Sequence, residues 1–393
     1  MSNKKIRVFV VDDSSVFIKF LTEELVKASP NIEIVGYAMS ASEAMRKIPS
    51  INPDVVTLDI EMPRTNGIEF LKELLPKHLV PVILVSSLNV TVFDALANGA
   101  VDFVKKPDLS RNYSSKLFIT TLVNKINGAS TATVKLPRSF GGLRGGTLPG
   151  NTTQTNRLAN SSVSASAASP AAGRPVARTS PAAPAAGNSA NSLKLTTKNP
   201  RINNLLIALG ASTGGTEATL QVLQHLPPNT PGIVITQHMP EGFTAMYAQR
   251  LNRLCNMEVR EAVDGDVVTR GTILIAPGGD LHMKVVKLGG HYTVRLFKAD
   301  KVNGHCPSVD VLFRSAAQAA GQNAVGMILT GMGQDGAYGL LEMRKAGAYT
   351  IGQNKESCVV YGMPMVAQNI GAVCLQASCD NMANVLINYL NKL

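Results

Sequence analysis

Between Gly128 and Pro200 the chain carries eight basic residues and no acidic one. The centre of this stretch, Ser161 to Asn191, is almost entirely Ser, Ala, Pro, Gly, Asn and Thr, broken by Val and Arg. Such a composition cannot bury enough apolar surface to offset the entropy lost on ordering. It reads as a flexible, disordered tether. The 393 residues therefore divide into two foldable parts, 1–127 and 201–393, joined by a basic linker over 128–200. Domains commonly run to about 100–200 residues, and a hydrophobic content of 45% lets each part bury a core.

The linker also explains the charge. Removing its eight basic residues from the net +11 leaves +3 for everything else. Phe140 is its one aromatic residue, so it lacks the stacking platforms of a single-strand binder. No nucleic-acid partner is expected. The apolar run Ile6–Val11 is too short for a signal peptide and meets Asp12-Asp13 directly. No stretch approaches the roughly 20 apolar residues of a membrane span. A cytoplasmic monomer without membrane insertion is expected. The five cysteines are odd in number and contain no C-x-x-C pair, which argues against a disulfide framework or a zinc site.

Before the linker, apolar runs alternate with amphipathic stretches through five strand–helix repeats, the strands beginning near Ile6, Ile32, Val55, Val82 and Val101. Right-handed crossovers make this a doubly wound parallel sheet. After the linker the pattern is again α/β, with a β-rich insertion over Val259–Phe297. In such sheets functional groups gather at the strand C-termini.

Asp12 and Asp13 end the first strand of the N-terminal part, Asp59 the third, Ser86 the fourth and Lys106 the fifth. Clustered carboxylates repel one another unless a hard cation lies among them, and all-oxygen ligands suit Mg²⁺. Lys106 and the cation would balance an incoming phosphoryl group. Asp59 would act as a carboxylate nucleophile and Ser86 would hydrogen-bond the product. The segments "VFVVDDS", "DVVTLDIEMPRTNG", "VILVSS" and "GAVDFVKKP" resemble the response-regulator receiver family, in order, over residues 4–126. The resemblance implies a flavodoxin-like fold with Asp59 as phosphoacceptor. It implies Asp13, Asp59 and the Glu61 backbone carbonyl as metal ligands, with Asp12 close by, and Ser86 and Lys106 as switch residues.

In the C-terminal part, the strand "NNLLIALG" runs into Gly210-Ala211-Ser212-Thr213-Gly214-Gly215 and then a helix. A serine on a tight strand-to-helix turn presents its Oγ, as in G-x-S-x-G. A Gly-rich turn there also suits phosphate or dinucleotide binding, but the G-x-G-x-x-G spacing and its following acid are absent. His238 closes the next strand and could activate the serine. Asp335, in the Gly-rich loop after "VGMILTGMG", could orient the imidazole. His282 and His305 are expected in loops that could line the site, ranked below His238. The order Ser…His…Asp differs from that of α/β-hydrolases.

The segments "IALGASTGGTEA", "VITQHMPEGFT", "IAPGG", "HCPSVDVLF", "ILTGMGQDGA" and "GMPMVA" resemble the chemotaxis-specific protein-glutamate methylesterase family, across residues 203–390. The resemblance implies a Rossmann-like esterase with nucleophile Ser212, base His238 and orienting acid Asp335. Thr213 and the Met332 backbone N–H would position the base or bind the oxyanion. It also implies demethylation and deamidation of chemoreceptors, a histidine-kinase phosphodonor, Mg²⁺ for the switch alone, and a receiver that covers the crevice until phosphorylated. Cys306 stands where an Arg is more usual. The linker is long for the family, which predicts looser autoinhibition.

Overall fold

The computed structural model describes residues 4–62, 67–86, 91–107, 112–134 and 193–393, without the side chains of 112–114. The centre of the expected tether, 135–192, lies outside the described residues.

The N-terminal half alternates strand and helix: β1 (Ile6–Val11), α1 (Ser15–Ala28), β2 (Ile32–Ala38), α2 (Ala41–Ile51), β3 (Val55–Leu58), α3 (Gly67–Lys77), β4 (Val82–Ser86), α4 (Thr91–Ala97), β5 (Asp102–Lys105) and α5 (Asn112–Ala129). The strands pair in parallel in the order β2-β1-β3-β4-β5. Val8, Phe9 and Val10 of β1 and all of β3 are buried, as expected of strands covered by helices on both faces. Ser14 starts α1 by accepting from the Phe17 N–H, and Ser40 starts α2 by accepting from Glu43 N–H.

The C-terminal half contains β6 (Leu206–Ala211), α6 (Gly215–Leu223), β7 (Ile233–Gln237), α7 (Phe243–Leu254), β8 (Glu258–Glu261), β9 (Thr272–Ile275), β10 (Leu281–Leu288), β11 (His291–Lys298) and α8 (Val309–Ala320). There follow β12 (Ala324–Ile328), α9 (Ala337–Lys345), β13 (Tyr349–Gln353), α10 (Met363–Asn369), β14 (Leu375–Ala377) and α11 (Met382–Lys392). The main sheet runs β14-β13-β12-β6-β7-β9-β8, all parallel. The winding direction reverses at β6, so a crevice opens beyond its C-terminal end. The β-rich insertion resolves into two parts: β8 and β9 extend the main sheet, while β10 and β11 form a separate antiparallel hairpin. The short strands β13 and β14 and helix α10 were not legible as repeats.

The linker boundaries are tighter than the composition suggested. Helix α5 continues to Ala129, past the expected start of the tether, and the Thr133 N–H donates to Val359 O in the C-terminal half. At the other end Leu193 and Leu195 pack on the core, and the Asn391 side chain accepts from Thr196 N–H and donates to Lys194 O. Apolar Ala129, Val134, Leu193 and Leu195 supply the burial that the Ser/Ala/Pro centre lacks.

The halves share an apolar seam. Phe93 of α4 stacks on Tyr247 of α7 at 5.7 Å, and Phe103 of β5 meets Phe243 at 4.6 Å. Arg250 lies over Phe93, 6.0 Å from the ring centre, and pairs with Glu217 at 2.8 Å. Met332, in the loop after β12, rests against Gly128 of α5. No described helix is long and apolar enough to cross a membrane.

Close packing at the crevice predicts a measurable cost. A Cβ at Gly210 would come 2.1 Å from Val309 Cγ1. Gly210→Ala is expected to destabilise the C-terminal half by about 1–3 kcal/mol, read from the urea midpoint. Adding Val309→Ala should recover part of the loss.

Candidate functional site

Ser212 leaves β6 at the reversal point. Its N–H donates to Thr330 O at 3.0 Å, and its carbonyl accepts from Gly215 N–H at 2.7 Å and Gln237 Nε2 at 2.9 Å. Gly214 takes φ +73°, and a Cβ there would strike Val359 at 2.6 Å, so only glycine turns this corner. Gly331 must also be bare, because a Cβ would approach Ser212 Cβ to 2.7 Å. His238 reaches the same place: its N–H donates to Ala211 O, one residue before Ser212.

Asp335 is buried and lies at the N-terminus of α8. It accepts from Val309 N–H at 2.7 Å, Asp310 N–H at 3.2 Å, Ser308 Oγ at 2.8 Å and Asn303 Nδ2 at 2.9 Å. A helix N-terminus favours an anion. Burial alone would push the Asp335 carboxyl up, but the hydrogen bonds from His238, Asn303 and Ser308 outweigh it and hold the group below the usual carboxylate range. An ionised carboxylate only accepts, so His238 Nε2 carries the proton in its 2.9 Å bond to Asp335 Oδ2. The other ring nitrogen, His238 Nδ1, is buried without a hydrogen-bond partner. It carries no proton and is open to accept one.

His282 and His305 differ from expectation. His282 belongs to strand β10 and is wholly buried. Its Nδ1 accepts from Ser308 N–H at 3.2 Å and its Nε2 donates to Asp300 O at 3.0 Å, which holds the start of α8 in place. The reading of His282 as a loop residue fails because the hairpin continues through it. His305 is in a loop and stacks face to face on His238, with ring centres 3.7 Å apart and planes 9° apart. Asn303, Ser308 and Asp310 escaped the sequence reading. The Asn303-Gly304 dipeptide signalled a tight turn and Ser308 a helix cap, but neither says which carboxylate it serves.

Thr213 is buried, and its hydroxyl donates to Asp102 Oδ2 of β5 at 2.6 Å. Lys125 of α5 pairs with Asp102 Oδ1 at 2.5 Å. The N-terminal half thus touches the residue next to Ser212.

In the N-terminal half, Asp12, Asp13 and Asp59 bring carboxylate oxygens within 4.8 Å of one another. Lys106 pairs with Asp59 at 2.6 Å and Asp12 at 2.9 Å. The Glu61 N–H donates to Asp59 Oδ1 at 3.0 Å. Burial pushes the Asp12 carboxyl above its usual range despite Lys106. Ser86 Oγ is buried and unpartnered. The cluster is short of positive charge and built from oxygens, a fit to Mg²⁺.

Residues 207–386 match the family described as CheB methylesterase, and residues 8–113 match the response regulator receiver domain. The "Protein-glutamate methylesterase/protein-glutamine glutaminase 2" of Syntrophomonas wolfei is 43% identical over 393 residues, covering all of both chains. The chain belongs to this methylesterase family. A member from Nitrosomonas europaea is 42% identical, covering 98% of this chain and 96% of its own. Among solved structures, the CheB methylesterase catalytic domain of Thermotoga maritima is 36% identical, covering 47% of this chain and 98% of its own, with a TM-score of 0.46. This family member is thus a receiver joined to an enzyme.

The site predicts an acid-sensitive fold. Burial, reinforced by the nearby Lys125 and Lys301, lowers His305 from 6.5 to about 3. Between those values the unfolded state takes up a proton that the folded state refuses, so stability falls as pH drops. The contribution is up to about 1.4 kcal/mol per pH unit. His305→Phe should flatten the profile of denaturation midpoint against pH between 6.5 and 4, relative to the unmodified protein.

Proposed function

We propose that Ser212 attacks the side-chain carbonyl of a glutamate methyl ester on a methyl-accepting chemoreceptor. His238 Nδ1 takes the serine proton and returns it to the leaving methoxide, releasing methanol. Water then hydrolyses the glutamyl-enzyme, with His238 again as base. On glutamine the same steps release ammonia. Asp335 orients His238 and stabilises its protonated form. The observation that carries this reading is the unpartnered His238 Nδ1 opposite an Nε2 fixed on a buried, ionised Asp335. The Met332 N–H, in the Gly-rich loop beside Ser212, is the proposed oxyanion donor, and Thr213 the positioning residue. No cofactor is assigned to the esterase step.

Asp59 is the proposed phosphoacceptor, served by a histidine kinase. Asp12, Asp13, Asp59 and the Glu61 carbonyl would hold Mg²⁺, which when bound offsets carboxylate repulsion and receives phosphoryl oxygens. Lys106 holds the Asp59 carboxylate, and Ser86 Oγ is free to turn toward a phosphoryl oxygen. The protein is proposed to work in the cytoplasm as a monomer, without membrane insertion or nucleic acid. The domain limits proposed are 1–127 and 201–393 with the tether between. The two ends of that tether, around Val134 and Leu195, pack against the folded parts.

In the unphosphorylated form the contacts of Asp102 with Thr213 and Gly128 with Met332 would cover the crevice. Phosphorylation would release them. The test is methanol release from methylated receptor membranes, with and without a small phosphodonor. Ser212→Ala should reduce release to background in both. Retention of wild-type release would end the proposal. Asp59→Ala should keep basal release but lose the phosphodonor response and acid-labile phosphate labelling. Asp102→Ala should raise basal release about tenfold, equivalent to roughly 1.4 kcal/mol, the scale of one hydrogen bond to a charged group.

A further inference from the structure

The turn before α8 has features that the triad alone does not require. Val302 and His305 exchange backbone hydrogen bonds, N–H to O at 3.0 and 2.9 Å. Between them Asn303 takes φ +52° and Gly304 φ +81°. Positive φ at both central residues suits a type I′ turn, for which Asn-Gly is the favoured pair. The turn delivers two groups to the catalytic pair. Asn303 Nδ2 donates to Asp335 Oδ1 at 2.9 Å and to Asp310 Oδ2 at 2.7 Å. His305 lays its ring flat against His238, 3.7 Å away and 9° from parallel.

The base needs such a support. One hydrogen bond, Nε2 to Asp335, fixes one edge of the His238 ring. It leaves the ring free to tilt about that edge, because Nδ1 has no partner. A flat face stacked on the ring removes that freedom. We propose that His305 is a positioning residue, whose stacked imidazole holds the plane of His238 so that Nδ1 points at Ser212. A neutral ring is also the face that a transiently protonated His238 can tolerate, whereas a second charge would repel it. His305 is kept neutral by burial and by Lys125 from α5 and Lys301 on its own loop, against the opposing Asp335.

This inference rests on the Ser212–His238 reading and is tested apart from it. The full chain is phosphorylated with a small phosphodonor, and methanol release is measured for Ser212→Ala, His305→Leu, His305→Ala and His305→Phe. Misplacing a general base costs on the order of 10- to 100-fold. The expected result is a loss of about that size in kcat for His305→Leu and His305→Ala, with KM within about twofold of wild type. His305→Phe, which restores a flat ring, should return kcat to within roughly threefold. Nitrogen chemical shifts of His238 should show one protonated and one bare nitrogen in the wild type and in His305→Phe. In His305→Leu the Nδ1 signal should broaden as the ring tilts, while Nε2 keeps its proton on Asp335. The proposal is overturned if His305→Leu keeps wild-type kcat and His238 shifts, if its loss lies wholly in KM, or if His305→Phe is as impaired as His305→Leu. An active Ser212→Ala would instead remove the underlying reading. Should His305→Ala fail to fold, the Leu–Phe comparison still decides.

Discussion

An ionised carboxylate withdrawn from water must be surrounded by donors, and most of the crevice is arranged around that need at Asp335. Its donors come from the first turn of α8, the Ser308 cap and the Asn303 turn. Each of these is held by something further out. His282 accepts from the Ser308 N–H, and Asp310 takes the second Asn303 proton while also accepting from Gly339 N–H at 2.6 Å. Removing any one donor leaves part of a buried charge unmatched, a cost of about 1–3 kcal/mol or more. The preference of His238 for a protonated Nε2, and hence a basic Nδ1, follows from this anchoring.

The same logic explains why α8 begins where it does. Its first turn presents free N–H groups, and Asp335 is the anion that satisfies them from another element. The start of α8 and the buried carboxylate are therefore one feature. A change made to stabilise the helix, such as a better local cap, would compete with Asp335 for the same donors.

Much of this was legible in the sequence. The five strand–helix repeats gave the receiver sheet, because its strands are apolar runs separated by amphipathic stretches. Ser212 and His238 stood out through their positions at strand ends, and Asp335 through a Gly-rich loop. The rest was hidden for particular reasons. Strand β13, "YTIGQ", is interrupted by Gly352, where a Cβ would meet Val373 at 2.9 Å, so close packing rather than pattern decides it. His305 and Asn303 lie in a polar loop, and no periodicity tells which ring a loop histidine will face. Asp102 lies in the fifth apolar run and nothing in the sequence singled it out. Its importance comes from a partner 111 positions away on the other half of the molecule.

Strand β5 ties the two sites together. At one end Lys106 holds the Asp59 and Asp12 carboxylates, and at the other Asp102 holds Thr213. A regulatory coupling of 5- to 150-fold requires only about 1–3 kcal/mol. A hydrogen bond to a charged acceptor is worth about 1.5–3 kcal/mol, so this single contact is of the required size. The apolar seam around Phe93, Phe103, Phe243 and Tyr247 need not come apart entirely for the crevice to respond. Lys125 makes the contact easier to break, because it stays paired with Asp102 when Thr213 leaves. The released carboxylate is never a buried, unmatched charge, and the penalty that would otherwise lock the two halves together is avoided.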